Sequence, residues 1–189
     1  MGKELGMKDI TKEVLHYENL KTIKYTHLAT TIAYAKAIGE ELGYSKEQLH
    51  VMEVGAALHD IGKSLIPVEI LSKKGRLTDE ERKIVNLHSV LGYEILKSAG
   101  FGVNVAEIAR DHHNPVSKNP MAQIVRAADI YSAMREERSY KKAKTHEEAM
   151  EVLKSAKVPQ KILNALDKRY GKKTFTNPIQ GVSVQTAIA

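Results

Sequence analysis

The sequence predicts an all-α fold, and three observations support that prediction. Capping-box patterns that open helices begin at Ser45, Thr78 and Thr145. Apolar residues recur at helical spacing, and no stretch alternates convincingly as a strand would. Only 5 prolines interrupt the 189 residues, and there is no Gly/Ser linker. We therefore expect one helical bundle domain over residues 1–170, followed by a C-terminal extension over residues 171–189.

Each predicted helix has its own local signal. The first carries an apolar stripe that includes Leu20 and Ile38. Three helices follow the capping boxes. Two others begin at Pro120 and just after Pro159, where a first-turn proline is tolerated. The fourth is marked by its apolar pattern alone. In chain order, the helices are expected near residues 17–42, 46–59, 79–98, 104–112, 120–136, 146–156 and 160–169.

Composition excludes several classes of protein. The chain has no Cys, which rules out disulfides, zinc–thiolate sites, iron–sulfur clusters and a cysteine nucleophile. Aromatic residues make up only 5%, which argues against nucleic-acid binding by base stacking. The net charge of +6 arises in residues 101–189, because residues 1–100 hold equal numbers of acidic and basic side chains. The basic segment 135–144 would suit a phosphorylated substrate, although such a run by itself more often marks a solvated surface.

Histidine and aspartate side chains recur on the apolar faces of the predicted helices. His27, His88 and Asp129 each have apolar neighbours one or two turns away. His59-Asp60 ends one helix just before a glycine, and His112-His113 ends another. A single such residue is usually a hydrogen-bonded core group, but a carboxylate among apolar neighbours needs a partner or a cation. Together these groups predict a metal site between facing helices, of the kind that suits iron, manganese or zinc.

These residues resemble the H…HD…D ligand pattern of the HD superfamily of metal-dependent phosphohydrolases. The similarity is closest to the HD-GYP subgroup and covers roughly residues 20–155. It includes HDIGKSLIPVEILSKKGRLTDEE at 59–81, HSVLGYEIL at 88–96 and the segment 122–153 around Asp129. The resemblance implies a single HD-type helical domain that hydrolyses a nucleotide-type phosphoester, with a cyclic dinucleotide such as cyclic di-GMP as the first substrate to test.

The resemblance also implies roles for individual residues. Asp60 would bridge two divalent ions, and Asp60 and Lys63 would be the catalytic residues. Ile23 and Ser132 stand where three-metal members carry acidic ligands, so we expect two ions, iron or manganese. His27, His59, Asp60 and Asp129 would hold one ion, and Asp60, His88, His112 and His113 the other. Lys63, one turn past the ligands, would contact substrate phosphates. Further candidates for such contacts are Arg110, Arg138, Tyr140 and Lys141, although plain solvent exposure is the commoner explanation for those four.

The sequence departs from the HD-GYP pattern in one loop. His112-His113 is followed by the short segment NPVSKNP at 114–120, which has neither the glycine nor the tyrosine of the Gly-Tyr-Pro loop. Two other functions therefore stay open beside the hydrolase. A diiron oxygenase would use the same ligands, and a nucleotide-sensing module would keep the site without turnover.

Location and partners can also be predicted. No apolar run reaches the length of about 18 residues that a membrane span needs, and the amino terminus lacks a secretory signal. These features predict a cytoplasmic protein that does not bind membranes or form a stable nucleic-acid complex. Its expected partner is a phosphorylated small molecule, a nucleotide or a cyclic dinucleotide, and a homodimer is a further expectation.

Overall fold

The fold is an all-helical bundle, as predicted. A computed structural model describes residues 25–137 and 142–171, and within those two ranges there is no strand. The helices in chain order are α1 (Tyr25–Glu41), α2 (Lys46–Leu58), α3 (Val68–Leu71), α4 (Asp79–Asn86), α5 (His88–Ser98), α6 (Val103–Asp111), α7 (Pro120–Arg135), α8 (His146–Ser155) and α9 (Gln160–Tyr170). A 3₁₀ helix, Ile61–Leu65, lies between α2 and α3.

Most predicted helices are confirmed to within one residue at each end. The three capping boxes all form. The side chains of Ser45, Thr78 and Thr145 each accept a hydrogen bond from the backbone amide three residues ahead. Of the first predicted helix, the part from Tyr25 onward is confirmed. Residues 17–24, and residues 172–189 of the predicted extension, lie outside the described residues.

The prediction of one continuous helix over residues 79–98 was wrong, because the helix breaks at Leu87. The Leu87 amide bonds the Ile84 carbonyl at 3.1 Å, three residues back instead of four. This tight turn ends α4 and starts α5 at His88. The apolar pattern continues through the break, so spacing alone did not reveal it. The sequence also gave no sign of α3 or of the 3₁₀ helix.

Two apolar clusters form the core. The larger one surrounds α7, whose Ile124, Val125 and Tyr131 are fully buried. Helix α7 packs against α1, α2, α6 and α8 and so occupies the middle of the bundle. The smaller cluster joins α2, the 3₁₀ helix, α5 and α6, through side chains such as Leu58 and Leu96. Asp129 lies on α7, and His59, His88 and His112 lie at ends of the helices that build the smaller cluster.

Backbone contact at Gly62 sets the distance between the 3₁₀ helix and α5. A Cβ atom built on Gly62 would lie 1.9 Å from the His88 carbonyl oxygen and 2.5 Å from the Gly92 amide nitrogen. Both obstacles are backbone atoms, which cannot rotate away. The absence of a side chain at Gly62 therefore allows the first turn of α5, with His88, to lie directly against the turn that carries Asp60.

Gly62→Ala is expected to lower the free energy of unfolding by about 1–3 kcal/mol or more, because α5 must move to admit the methyl group. Gly102→Ala is the matched control, since a Cβ there meets no atom within 4 Å. The control should cost less than about 1 kcal/mol. Urea denaturation of both variants makes the comparison, and equal losses would contradict this account of Gly62.

Candidate metal centre

The His59-Asp60 pair lies where the backbone leaves α2. The helix ends at Leu58, His59 keeps helical angles, and Asp60 turns to φ −99°, ψ 6° before the 3₁₀ helix begins. Consecutive residues within a helix point about 100° apart. The change of direction at Asp60 lets both side chains face the same space, and their Nε2 and Oδ2 atoms lie 3.4 Å apart.

Three histidines are held by main-chain carbonyls. The Nδ1 atoms of His59, His88 and His112 each lie 2.6–2.7 Å from the carbonyl oxygen three residues earlier. A carbonyl only accepts hydrogen bonds, so Nδ1 carries the proton in each neutral ring and Nε2 keeps its lone pair. The rings are also almost fully buried, with 0–3% of each side chain exposed. Helix ends and packing thus fix three imidazole lone pairs in direction.

Asp60 lies between two groups of side chains. Its Oδ1 atom is 3.3 Å from His88 Nε2 and 3.7 Å from His112 Nε2. Its Oδ2 atom is 3.4 Å from His59 Nε2 and 2.5 Å from Lys63 Nζ. We call His27, His59 and Asp129 the first group, and His88, His112 and His113 the second group. The Asp60 carboxylate presents one oxygen to each.

The second group brings three imidazoles into contact. His88 Nε2 lies 3.2 Å from both His112 Nε2 and His113 Nε2. Together with Asp60, the ligand atoms of this group all lie within 4.8 Å of one another. Lone pairs that converge so closely repel unless a cation lies among them. His113 is the exposed member and lies at the solvent side of the cluster.

The first group is built from three different parts of the chain. His27 comes from α1, His59 from the end of α2 and Asp129 from the middle of α7. His27 Nε2 is 2.9 Å from Asp129 Oδ1, and His59 Nε2 is 3.9 Å from that same oxygen. The structure thus brings together all seven residues that the sequence proposed as metal ligands.

The protonation states differ between the two groups. Burial opposes a charge on His59, but the carboxylates of Asp60 and Asp129 outweigh it and raise the pKa of His59 to about 9. Burial lowers the pKa values of His88 and His112, that of His112 well below its usual value. Although His113 reaches solvent, partial loss of water around its ring and the neighbouring His88 lower its pKa as well. At neutral pH the second group therefore offers three neutral imidazoles, the form that binds metal ions.

Both carboxylates are ionised. Burial favours their neutral forms, yet facing cationic groups reverse the balance. His59 holds the pKa of Asp60 well below its usual value, and the hydrogen bond from His27 lowers the pKa of Asp129 to about 2. Imidazole nitrogens with ionised carboxylate oxygens are a donor set that fits iron, manganese or zinc. The chemistry of the residues present thus fits a divalent metal site.

The proposed substrate contacts fall into three cases. Lys63 lies beside the cluster, bonded to Asp60, with 29% of its side chain exposed. Arg110 is not brought into the cluster, because its guanidinium bonds Asp111 at 2.8 Å and lies over the Tyr93 ring. Its role as a phosphate contact stays a prediction. Arg138, Tyr140 and Lys141 lie outside the described residues.

The short segment after His113 is tied down from both sides. Ser117 donates to the Asp111 carboxylate at 2.8 Å, and the buried Gln123 amide donates to the carbonyls of Asn114 and Ser117 at 3.3 and 3.2 Å. Gln123 lies on α7, the helix that also carries Asp129. Gln123 was not among the predicted site residues. Its available signal in the sequence is a polar amide among apolar neighbours, six residues before Asp129.

Comparison with known proteins identifies the family. A model of the HD domain matches residues 25–134, more than half of the chain. The chain belongs to the HD domain family. This confirms the resemblance to the HD superfamily that the ligand pattern first indicated.

Two relatives are similar over most of this chain. The cyclic di-GMP phosphodiesterase response regulator RpfG of Xanthomonas campestris is 35% identical over 133 residues, which cover 63% of this chain and 35% of that protein. A cyclic di-GMP phosphodiesterase of Thermotoga maritima is 32% identical over 165 residues, which cover 78% of this chain and 43% of that protein. The chain thus spans less than half the length of these relatives.

A solved structure confirms the HD fold. The HD domain of the Listeria monocytogenes phosphodiesterase PgpH, crystallised in complex with cyclic-di-AMP, superposes with a TM-score of 0.58. The match covers 84% of this chain and 99% of the other at 20% identity. Among the helices described for this chain, none combines the length and apolar character that crossing a bilayer requires.

Metal-free protein is expected to lose stability as the pH rises from 6.5 to 9. The folded state raises the pKa of His59 from its ordinary value near 6.5 to about 9, so its contribution is complete below pH 6.5 and vanishes above pH 9. The loss should reach at most about 3 kcal/mol. Urea denaturation after chelator treatment measures it.

A matched histidine variant controls for other titrating groups. His50 is exposed, so His50→Asn should keep the same pH dependence, whereas His59→Asn should remove most of it. Two results would show that His59 is not the group responsible. One is a free energy of unfolding that does not change with pH in the metal-free original chain, and the other is an equal change of its pH dependence in both variants.

Proposed function

We propose that the chain is a metal-dependent phosphodiesterase with a dinuclear centre of iron or manganese. The observation that carries the proposal is the Asp60 carboxylate, whose two oxygens face separate sets of imidazole and carboxylate ligands. One ion would be held by His27, His59, Asp60 and Asp129. The other would be held by Asp60, His88, His112 and His113.

The bound ions would supply two functions, a water acidified to hydroxide near neutral pH and a positive field for the phosphoryl oxygens. The chain's own residues supply the rest. Main-chain carbonyls orient three of the imidazoles, and burial keeps those of the second group neutral and ready to bind. Lys63, bonded to Asp60 and partly exposed, donates from its ammonium group to a phosphoryl oxygen and stabilises negative charge there.

The relatives support a substrate class. Two of them are named for hydrolysis of cyclic di-GMP, and the HD domain of PgpH was crystallised with cyclic-di-AMP. A cyclic dinucleotide is therefore the proposed substrate, with cyclic di-GMP the first compound to test. The basic excess in residues 101–189 is consistent with an anionic substrate. A homodimer and a cytoplasmic location stay predictions.

Metal content tests the centre directly. Protein purified without oxygen should contain close to two transition-metal ions per chain, and Asp60→Ala should lose both because each site loses a ligand. Glu94→Ala is the control, since Glu94 is an exposed acid on α5. It should retain the metal of the original chain. Elemental analysis by mass spectrometry gives the count.

Three outcomes would overturn the proposal. Little metal in the original chain, or none lost from Asp60→Ala, would mean that the clustered histidines are structural. Tight binding of cyclic di-GMP by the metal-loaded protein without cleavage would favour the sensing module. Oxygen consumption that depends on substrate would favour the diiron oxygenase, for which the same ligands suffice.

Lys63→Gln separates catalysis from metal binding. The ligand set stays complete, so both ions should be retained, while turnover of cyclic di-GMP should fall about 100-fold because one donor to the phosphoryl group is lost. Lys74→Gln, at an exposed lysine away from the ligands, should turn over normally. Steady-state kinetics with metal analysis measures both, and unchanged turnover in Lys63→Gln would remove Lys63 from the mechanism.

A further inference from the structure

His27 is tethered differently from the three buried histidines of the cluster. Its Nδ1 atom contacts the Ser132 hydroxyl at 3.0 Å, whereas His59, His88 and His112 bond main-chain carbonyls. The His27 side chain is also less enclosed, with 17% exposed against at most 3% for those three. Packing holds this ring less firmly, so its orientation depends more on the hydrogen bond at Nδ1.

Ser132 is itself fixed on α7. It is 1% exposed, and its hydroxyl lies 2.5 Å from Thr30 Oγ1 on α1. Thr30 can donate its own hydrogen to either of two main-chain carbonyls, those of Thr26 and His27, at 2.9 and 3.0 Å. The Thr30 oxygen is then available to accept from Ser132. A chain of hydrogen bonds thus runs from the imidazole to the backbone of α1.

A hydroxyl performs a task here that a carbonyl cannot. It accepts when His27 carries its proton on Nδ1, and the Ser132 hydrogen then goes to Thr30. It donates when the proton is on Nε2, beside Asp129 Oδ1 at 2.9 Å, and Thr30 then donates its hydrogen to Ser132 instead of to the backbone. The ring keeps one orientation in both tautomers. His27 can therefore bond Asp129 directly or offer a lone pair to an ion without rotating.

We propose that Ser132, supported by Thr30, is the positioning residue of His27 and sets the affinity of the first group for its metal ion. This rests on the proposed metal centre and deepens it. The tethers of His59, His88 and His112 are backbone atoms, which no side-chain substitution removes. Among these four histidines, only His27 has a side chain as the partner of its Nδ1 atom. Loss of the Ser132 hydroxyl should therefore weaken one ion of the pair and leave the other.

Manganese titration of metal-free protein tests this inference. The original chain should bind two Mn²⁺ ions, and Ser132→Ala should weaken one of them 10–100-fold while the other keeps its affinity. Thr30→Val, which keeps the side-chain volume, should weaken the same ion by a smaller factor. Free Mn²⁺ is measured by electron paramagnetic resonance, independently of any catalytic activity.

Thr31→Ala is the matched control. Thr31 is fully buried on α1, and its hydroxyl bonds the His27 carbonyl at 2.8 Å but not the imidazole. It should leave both affinities unchanged, although it lowers the thermal stability of the fold. Two ions in the original chain with no change in Ser132→Ala, or with an equal loss of both ions, would refute the positioning role alone. Failure of the original chain to bind two ions would refute the metal centre, and this inference with it.

Discussion

The position of the Asp60 carboxylate is the constraint on which the rest of the site depends. A charged side chain with two imidazoles near one oxygen, and an imidazole and an ammonium group near the other, is stable only if every neighbour is held in place. The fold holds these neighbours in place with helix ends and close backbone packing. Asp60 follows directly from the end of α2, and the bare backbone of Gly62 admits α5 with His88.

Much of the fold could be predicted from the sequence, because helix starts and apolar spacing are local properties. The capping boxes set helix ends, and ligand types on apolar faces indicated a shared centre. The break at Leu87 was not predictable, since it follows from a hydrogen bond that tightens one turn within an unbroken apolar pattern. The tethers were missed for a related reason. Ser132 and Thr30 lie on different helices 102 residues apart, and only the packing of α1 against α7 brings them together.

The short segment after His113 is where the sequence of this site departs from the HD-GYP pattern. Ser117 donates to Asp111 on α6, and Gln123 on α7 donates to the carbonyls of Asn114 and Ser117, so the segment is held against both helices. The segment that follows the exposed His113 is therefore fixed by hydrogen bonds on both sides. Gln123 and Asp129 lie on the same helix, α7. Helix α7 thus carries one ligand of the first group and also anchors the segment that follows the second group.

The proposed role of Asp60 as a bridge between two ions is tested most directly with crystals of the manganese-loaded protein, measured at the manganese absorption edge. We expect two anomalous peaks, one beside each oxygen of the Asp60 carboxylate, with His27, His59 and Asp129 around one and His88, His112 and His113 around the other. A single peak, or two peaks that Asp60 does not join, would contradict it.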